Sequence, residues 1–282
     1  MVDPNIIEYM IRNEADMAFK RRVHTIFEWV DPQDDHVILD IPCGRGFYLN
    51  MFRYVSDCTL IGADLDWEVL GKAQQSVGHL PDVTLHHASI YDLPYPDNTF
   101  DAVILSEVLE HLDDDVLGLR EAYRVLKPGG IAVITVPNAN YPFLWDPVNK
   151  TLEYLLNTHI QYGPLAGIWA NHVRLYSPGE LRNAVTTAKF EVEAERAFTH
   201  YSFPFIHNLV YGVGKPLLER GALPESMATT ADRTQFDQPD SHPLNPVALG
   251  LKLFNLVDRL NTMDEPPGRA TVNLCIKGRK PA

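Results

Sequence analysis

Between positions 6 and 30 apolar residues (Ile6, Ile7, Met10, Ile11, Met17, Val23, Ile26, Phe27, Val30) recur at helical spacing, which predicts one or two amphipathic helices. From position 36 the rhythm changes. Short β-branched runs, HVILDI, CTLIGADL, VTLHHASI, FDAVILSE and GGIAVITVPN, alternate with helical patterns that begin near Phe47, Trp67 and Asp113. Strand and helix taking turns predicts an α/β fold, a parallel sheet with helices on both faces. Runs such as AVIL and IAVITV are apolar at consecutive positions, as strands buried on both sides require.

After Pro137 the pattern becomes aromatic and proline-containing, NANYPFLWDPVNKTLEYLLNTHIQYGPLAGIWANHVRLY, and reads as an inserted lid. A helix SPGELRNAVTTA follows, with Ser177 as N-cap, Pro178 at its first position and Glu180 completing a capping box. Next come the strand KFEVEAERAF and, much later, a last strand at 270–278. Between them two apolar helical patterns, near 205–220 and 247–263, flank the polar stretch GALPESMATTADRTQFDQPDSHPLNP, which reads as a loop. The expected organisation is a helical cover at 1–34, an α/β core at 35–138, the aromatic lid at 139–176, and the rest of the sheet at 177–282. That last part carries a helical insertion at about 201–268.

Composition narrows the partners. The 282 residues, 45% hydrophobic, suffice for one large core, and 24 basic against 37 acidic residues give a formal charge of −13, which opposes binding to nucleic acid. No apolar run approaches the ~20 residues that span a bilayer. The first residues carry acids inside their apolar pattern and no small-residue cleavage site, so no signal peptide is expected. Cys43, Cys58 and Cys275 are widely spaced, which predicts free thiols in a reducing cytoplasm.

The candidate chemistry begins at DIPCGRG, where a buried strand turns into a helix. Such a turn offers free N–H groups and a positive dipole end, and glycines let a ligand approach the backbone. The dinucleotide fingerprint GxGxxG needs a third glycine where Leu49 stands. Instead an acid precedes the pair, giving Asp40, Gly44 and Gly46. A carboxylate there repels a diphosphate and attracts an ammonium or sulfonium, which disfavours a nicotinamide-dependent oxidoreductase. Asp64, about twenty residues beyond Gly44, ends the next strand where a carboxylate can accept from ribose hydroxyls; its structural alternative, like that of Asp66, is to cap the following helix.

VILDIPCGRG, LIGADLD, LPYPDNTFDAVILSEVLEHLDD and LREAYRVLKPGGIAVITVPN together resemble the class I S-adenosylmethionine-dependent methyltransferases, in particular the small-molecule group. The likeness covers about residues 37–138, with a looser echo in NHVRLYSPGEL. It implies a Rossmann-like, seven-stranded, mostly parallel sheet with an antiparallel last strand, and S-adenosylmethionine across the strands' carboxyl ends. By position, Asp40, Gly44 and Gly46 would hold its methionine part and Asp64 its ribose. The acid that receives the adenine amino group in many relatives is Ser89 here; its hydroxyl and the Ile90 N–H are the substitutes, with Asp92 in reserve. The glycines of LKPGG are expected to shape the turn into the fifth strand.

Ser106 begins SEVLEHLDDD, which follows the fourth strand and should face the transferred methyl group. If this stretch is helical, Glu107, Glu110 and His111 share one face. Their E-x-x-E-H pattern is similar to that of ubiquinone-biosynthesis-type O-methyltransferases, some of which use a divalent metal. The reading favours no metal and gives catalysis to His111 and Glu107, since an imidazole titrates near neutrality. His172 and Arg174 are candidates for substrate contact, and Tyr141 and Trp145 for an apolar substrate pocket; packing against the sheet is the competing role for these aromatics. The expected activity is methyl transfer to a small, mostly apolar acceptor, with oxygen as the favoured atom and a small-molecule or lipid-like substrate. An inactive cofactor-binding or scaffold protein is the alternative. Peripheral membrane contact and a homodimer both fit the apolar helices of the insertion.

Overall fold

The computed structural model describes residues 3–163, 165–205 and 246–282. The expected helix at 205–220 and most of the polar stretch after it lie outside the described residues. Helices α1 (Pro4–Met10) and α2 (Met17–Val30) lead into β1 (Val37–Asp40), α3 (Phe47–Val55), β2 (Thr59–Asp64), α4 (Trp67–Val77), β3 (Val83–His87) and β4 (Phe100–Ser106). There follow α5 (Asp115–Val125), β5 (Leu126–Pro137), α6 (Pro147–Leu156), α7 (Pro178–Thr187), β6 (Glu191–Phe198), α8 (Pro246–Asp258) and β7 (Asn273–Arg279). Asp3, Asp16, Asp66, Asp114, Asp146 and Ser177 cap α1, α2, α4, α5, α6 and α7 with side-chain oxygens, so short polar residues mark where the helices begin. At α7 the Ser177–Glu180 capping box forms as expected.

The seven strands are ordered β3-β2-β1-β4-β5-β7-β6. β1 to β5 pair in parallel, and β7 runs antiparallel to both β5 and β6. The strand order reverses beside β1, which leaves a crevice between the ends of β1 and β4, the place where open α/β sheets bind ligands. One face of the sheet packs Leu39, Val103, Leu105 and Ile134 against α5 and α7; the other packs Ile38, Ile104 and Val133 against α1 to α4. Phe27 stacks on Phe52 at 4.3 Å and locks α2 to α3. Each such fully buried ring contributes about 1.5–3 kcal/mol.

Two expectations need correction, and one conditional reading does not hold. The helix expected from about Asp113 begins at Asp115, but the stretch between β4 and it is not α-helical. Glu107 has a φ of 53°, and only a short 3-10 turn, Leu109–His111, forms before α5 starts at Asp115. Gly129 and Gly130 lie inside β5, in a bulge where Phe100 pairs with Leu126 but Ala102 pairs with Ile131, so they do not form a turn ahead of the strand. The helix expected over 247–263 ends at Asp258.

The lid has its own small core, in which Tyr141, Trp145, Ile168 and Leu175 meet Met17, Ala18 and Val272. Its frame is polar. Asp146 accepts from the N–H of Asn149 and Ile168, while the Asn149 amide reaches the Ala166 carbonyl at 2.8 Å. Trp169 donates to Glu153 at 2.6 Å and stacks on His159. Among the described residues no helix is long and apolar enough to cross a membrane.

Candidate functional site

β1 delivers Asp40 to the crevice, and the chain turns through 41–46 before α3 begins. Gly44 and Gly46 hold φ values of 55° and 80°, in the left-handed region that favours glycine. A Cβ on Gly46 would lie 2.7 Å from Val77 Cγ2, whereas one on Gly44 would meet nothing within 4 Å. Gly46 therefore lets the turn sit tightly on α4, and Gly44 presents bare backbone to the crevice. Asp64, at the end of β2, accepts the Gly44 N–H on one oxygen and the Asp66 N–H on the other, each at 3.0 Å. Asp66 is the helix cap, accepting from the N–H of Glu68 and Val69.

Asp40 is 1% exposed, and among the described residues neither of its carboxylate oxygens has a hydrogen-bond partner. Burial, reinforced by the Asp64 charge, raises its pKa well above the usual carboxylate range. An unpartnered buried carboxylate is costly in its charged form, so the position is completed either by a proton or by a cationic ligand. Beyond β3, Ala88 N–H donates to the Asp64 carbonyl, which holds the next turn beside the crevice. There the Ser89 hydroxyl accepts the Tyr91 N–H at 3.2 Å, and Ile90 is buried against the α5 face.

The end of β4 carries a different set of groups. Ser106 links Tyr48 (3.4 Å) to Thr135 (3.2 Å), and Thr135 donates to Glu107 at 2.9 Å. Glu107 also forms an ion pair with Arg22 at 2.8 Å and accepts from the Asn273 amide at 3.0 Å. Burial pushes the Tyr48 phenol up to about 12, which leaves it a neutral hydrogen-bonding group. Glu107 is thus anchored by α2, β5 and β7, and it does not share a helical face with Glu110 and His111. Glu110 is fully buried, and burial, with Glu107 next, raises its pKa well above the ordinary range. His111 Nδ1 lies 3.0 Å from the Asn171 carbonyl oxygen, and its ring meets His172 edge to face at 4.8 Å. The lid thereby brings His172 to His111. Arg174 is engaged with the Asp113 carbonyl at 2.9 Å and with Asp115 at 3.2 Å. Tyr141 and Trp145, 0% and 3% exposed, belong to the lid core, so their position matches the packing role and not the wall of an open pocket.

Residues 39–134, which hold both strand ends, match the family described as a methyltransferase domain. The chain carries a class I S-adenosylmethionine-dependent methyltransferase domain. An uncharacterized methyltransferase of Schizosaccharomyces pombe is 40% identical over 102 residues, 33% of this chain and 37% of that protein. A Mycolicibacterium smegmatis protein named as a probable S-adenosylmethionine-dependent methyltransferase is 30% identical over 160 residues, 55% of this chain and 52% of the other. The aligned segments thus span about a third to a half of these relatives. Among solved structures, a SAM-dependent methyltransferase from Archaeoglobus fulgidus superposes with a TM-score of 0.52 at 16% identity, covering 94% of this chain and 95% of that one. The [4+2]-cyclase SpnF superposes at 0.54, with 16% identity over 93% and 82%. At such identities these likenesses show the fold alone.

S-adenosylmethionine is the cofactor of this methyltransferase family, and the residues of the crevice fit it. The orphaned Asp40 carboxylate suits an ammonium group, and the open Gly44 backbone suits the close approach of the amino-acid end. Leu49, absent from solvent in α3, fills the helix–sheet contact where a dinucleotide fold would have its third glycine. The groups that hold Glu107 (Arg22, Thr135 and Asn273) escaped the sequence reading. They lie 85, 28 and 166 positions away, and no local pattern announces contacts at such separations.

Proposed function

We propose that the protein moves a methyl group from S-adenosylmethionine to a small, mostly apolar acceptor, with oxygen as the receiving atom. The unpartnered, buried Asp40 carboxylate is the observation that carries this reading. Bound S-adenosylmethionine supplies an electrophilic methyl group on a positively charged sulfur. Asp40 would bind the ammonium, Gly44 and Gly46 the amino-acid backbone, Asp64 the ribose hydroxyls, and Ser89 with the Ile90 N–H the adenine edge. Ser106, braced by Tyr48 and Thr135, flanks the reacting end. Holding the acceptor in line with the carbon–sulfur bond can supply roughly 7–11 kcal/mol of the barrier reduction.

On the acceptor side, the cluster of Glu110, His111 and His172 activates the hydroxyl, while Glu107 positions the strand ends. The expected catalytic role of Glu107 gives way to that structural one because its oxygens are already engaged. Arg174 acts as a brace between the lid and α5. An apolar substrate is favoured by the exposed Phe143, Tyr154, Leu155 and Tyr162 of the lid region. It is also favoured by relatives named as a 2-methyl-6-phytyl-1,4-hydroquinone methyltransferase of rice, 36% identical over 109 residues, and a demethylmenaquinone methyltransferase of Listeria monocytogenes, 28% identical over 169 residues. Incubation with S-adenosylmethionine and pools of phenols, quinols and fatty alcohols should yield a product heavier by one methyl group in mass spectra. Cofactor binding by calorimetry without any such product would favour the binding-protein reading; no binding at all would overturn both.

A further inference from the structure

Glu110 lies outside the glycine turn, and the charges of Glu107 and Arg22 reach it. It has no exposed surface, and among the described residues neither carboxylate oxygen has a hydrogen-bond partner. Two imidazoles converge on it. His172 Nε2 stands 3.9 Å from Glu110 Oε1, and the His111 ring packs on the His172 ring. A carbonyl oxygen only accepts, so the 3.0 Å contact between His111 Nδ1 and the Asn171 carbonyl puts a proton on Nδ1, and in the neutral ring the lone pair is then on Nε2. Metal-ligating histidines are oriented by this kind of partner. One donor atom from each of the three residues lies within 4.8 Å of the other two. Bonds of about 2.0–2.1 Å set tetrahedral ligand atoms about 3.4 Å apart, a contraction within reach of side-chain rotation. The backbone already ties the parts together, because the N–H groups of Val173 and Arg174 donate to the Glu110 carbonyl at 2.8 and 3.4 Å.

We propose that Glu110, His111 and His172 bind a borderline divalent cation, of the zinc and manganese type. Two imidazoles and one carboxylate suit such ions, whereas magnesium and calcium prefer all-oxygen surroundings. The set differs from the E-x-x-E-H pattern in the sequence: Glu107 is withdrawn by Arg22, Thr135 and Asn273, and a histidine of the lid takes its place. His111 is exposed, so the remaining coordination positions are open to water or to an acceptor hydroxyl. An ion there lowers the pKa of a hydroxyl bound to it, and the proton departs to solvent water. That role rests on the methyl-transfer reading, but the binding site does not.

The test is a calorimetric titration of the chelator-stripped, desalted protein with Zn²⁺, Mn²⁺ and Mg²⁺, each without S-adenosylmethionine. We expect one equivalent of zinc or manganese per chain, magnesium at least a hundredfold weaker, and a tenfold or greater loss of zinc affinity in Glu110→Gln and in His172→Ala. His79→Ala, at an exposed histidine elsewhere, should bind as the parent does. In case either variant fails to fold, pulsed electron paramagnetic resonance on the Mn²⁺-loaded parent protein should show couplings to imidazole nitrogen. Absence of saturable binding, of those couplings, or of any effect of the two variants would overturn the proposal. A parallel titration with S-adenosylmethionine keeps the two readings apart: cofactor binding without metal binding sinks only the ion, and the reverse sinks only the methyltransferase reading.

Discussion

Asp40 at the end of β1 and Glu107 just past the end of β4 lie at the ends of adjacent parallel strands, yet among the described residues Asp40 has no hydrogen-bond partner while Glu107 is held by Arg22, Thr135 and Asn273. Both are carboxylates at the carboxyl ends of their strands. Their surroundings assign them opposite work: a satisfied carboxylate fastens elements together, and an unsatisfied buried one is completed from outside. Glu110, three residues beyond Glu107, behaves like Asp40.

The largest effect expected from breaking this contrast is on the satisfied side. Arg22→Ala leaves Glu107 short of its countercharge; since Thr135 and Asn273 remain, the loss of stability should reach up to about 3 kcal/mol, below the usual cost of fully orphaning a buried ion. Urea unfolding measures it, and a change below 1 kcal/mol would mean that the network is ornamental. On the unsatisfied side, Asp40→Asn should weaken S-adenosylmethionine binding roughly tenfold to a hundredfold, the ~1.5–3 kcal/mol carried by a hydrogen bond to a charged group. The apoprotein should not be destabilised by it.

The same position predicts a pH dependence. Asp40 has a higher pKa folded than unfolded, so its contribution to apoprotein stability is fully present below the unfolded value of about 3.9 and is lost as pH rises through the folded value. A cationic ligand favours the ionised form. Cofactor binding should therefore release a proton below the folded pKa, visible as a dependence of the calorimetric enthalpy on buffer ionisation heat, and Asp40→Asn should abolish it. A smaller effect is expected at Gly46→Ala: the left-handed backbone costs about 1–2 kcal/mol, and the new methyl crowds Val77. Thermal unfolding would register it. Smallest and purely local, Ser177→Ala removes the α7 cap for about 1 kcal/mol and should leave cofactor affinity unchanged.

How much of this was legible beforehand follows the distance between the interacting residues. The starts of α3 at Phe47, α4 at Trp67 and α7 at Pro178, together with the order of the strands along the chain, follow from periodicity and from caps within a few positions. The glycine turn was legible for the same reason, since Asp40, Gly44 and Gly46 lie within one strand-to-helix connection and Asp64 closes the next strand. On the other side of the crevice, the shared face of Glu107, Glu110 and His111 depended on helical geometry that the stretch does not adopt. The backbone at Glu107 turns left-handed, so residue 107 leaves the face it would share with 110 and 111 in a helix.

The sequence by itself determined which strands are buried on both faces, where the helices begin, and that an acid-flanked glycine turn follows the first strand, because each is written in neighbouring residues. Only the tertiary structure decided which carboxylates stay unsatisfied and which histidine meets His111. Those outcomes depend on α2, β7 and the lid arriving at the strand ends from far along the chain, and the free energy of a buried charge is set by whatever group happens to arrive.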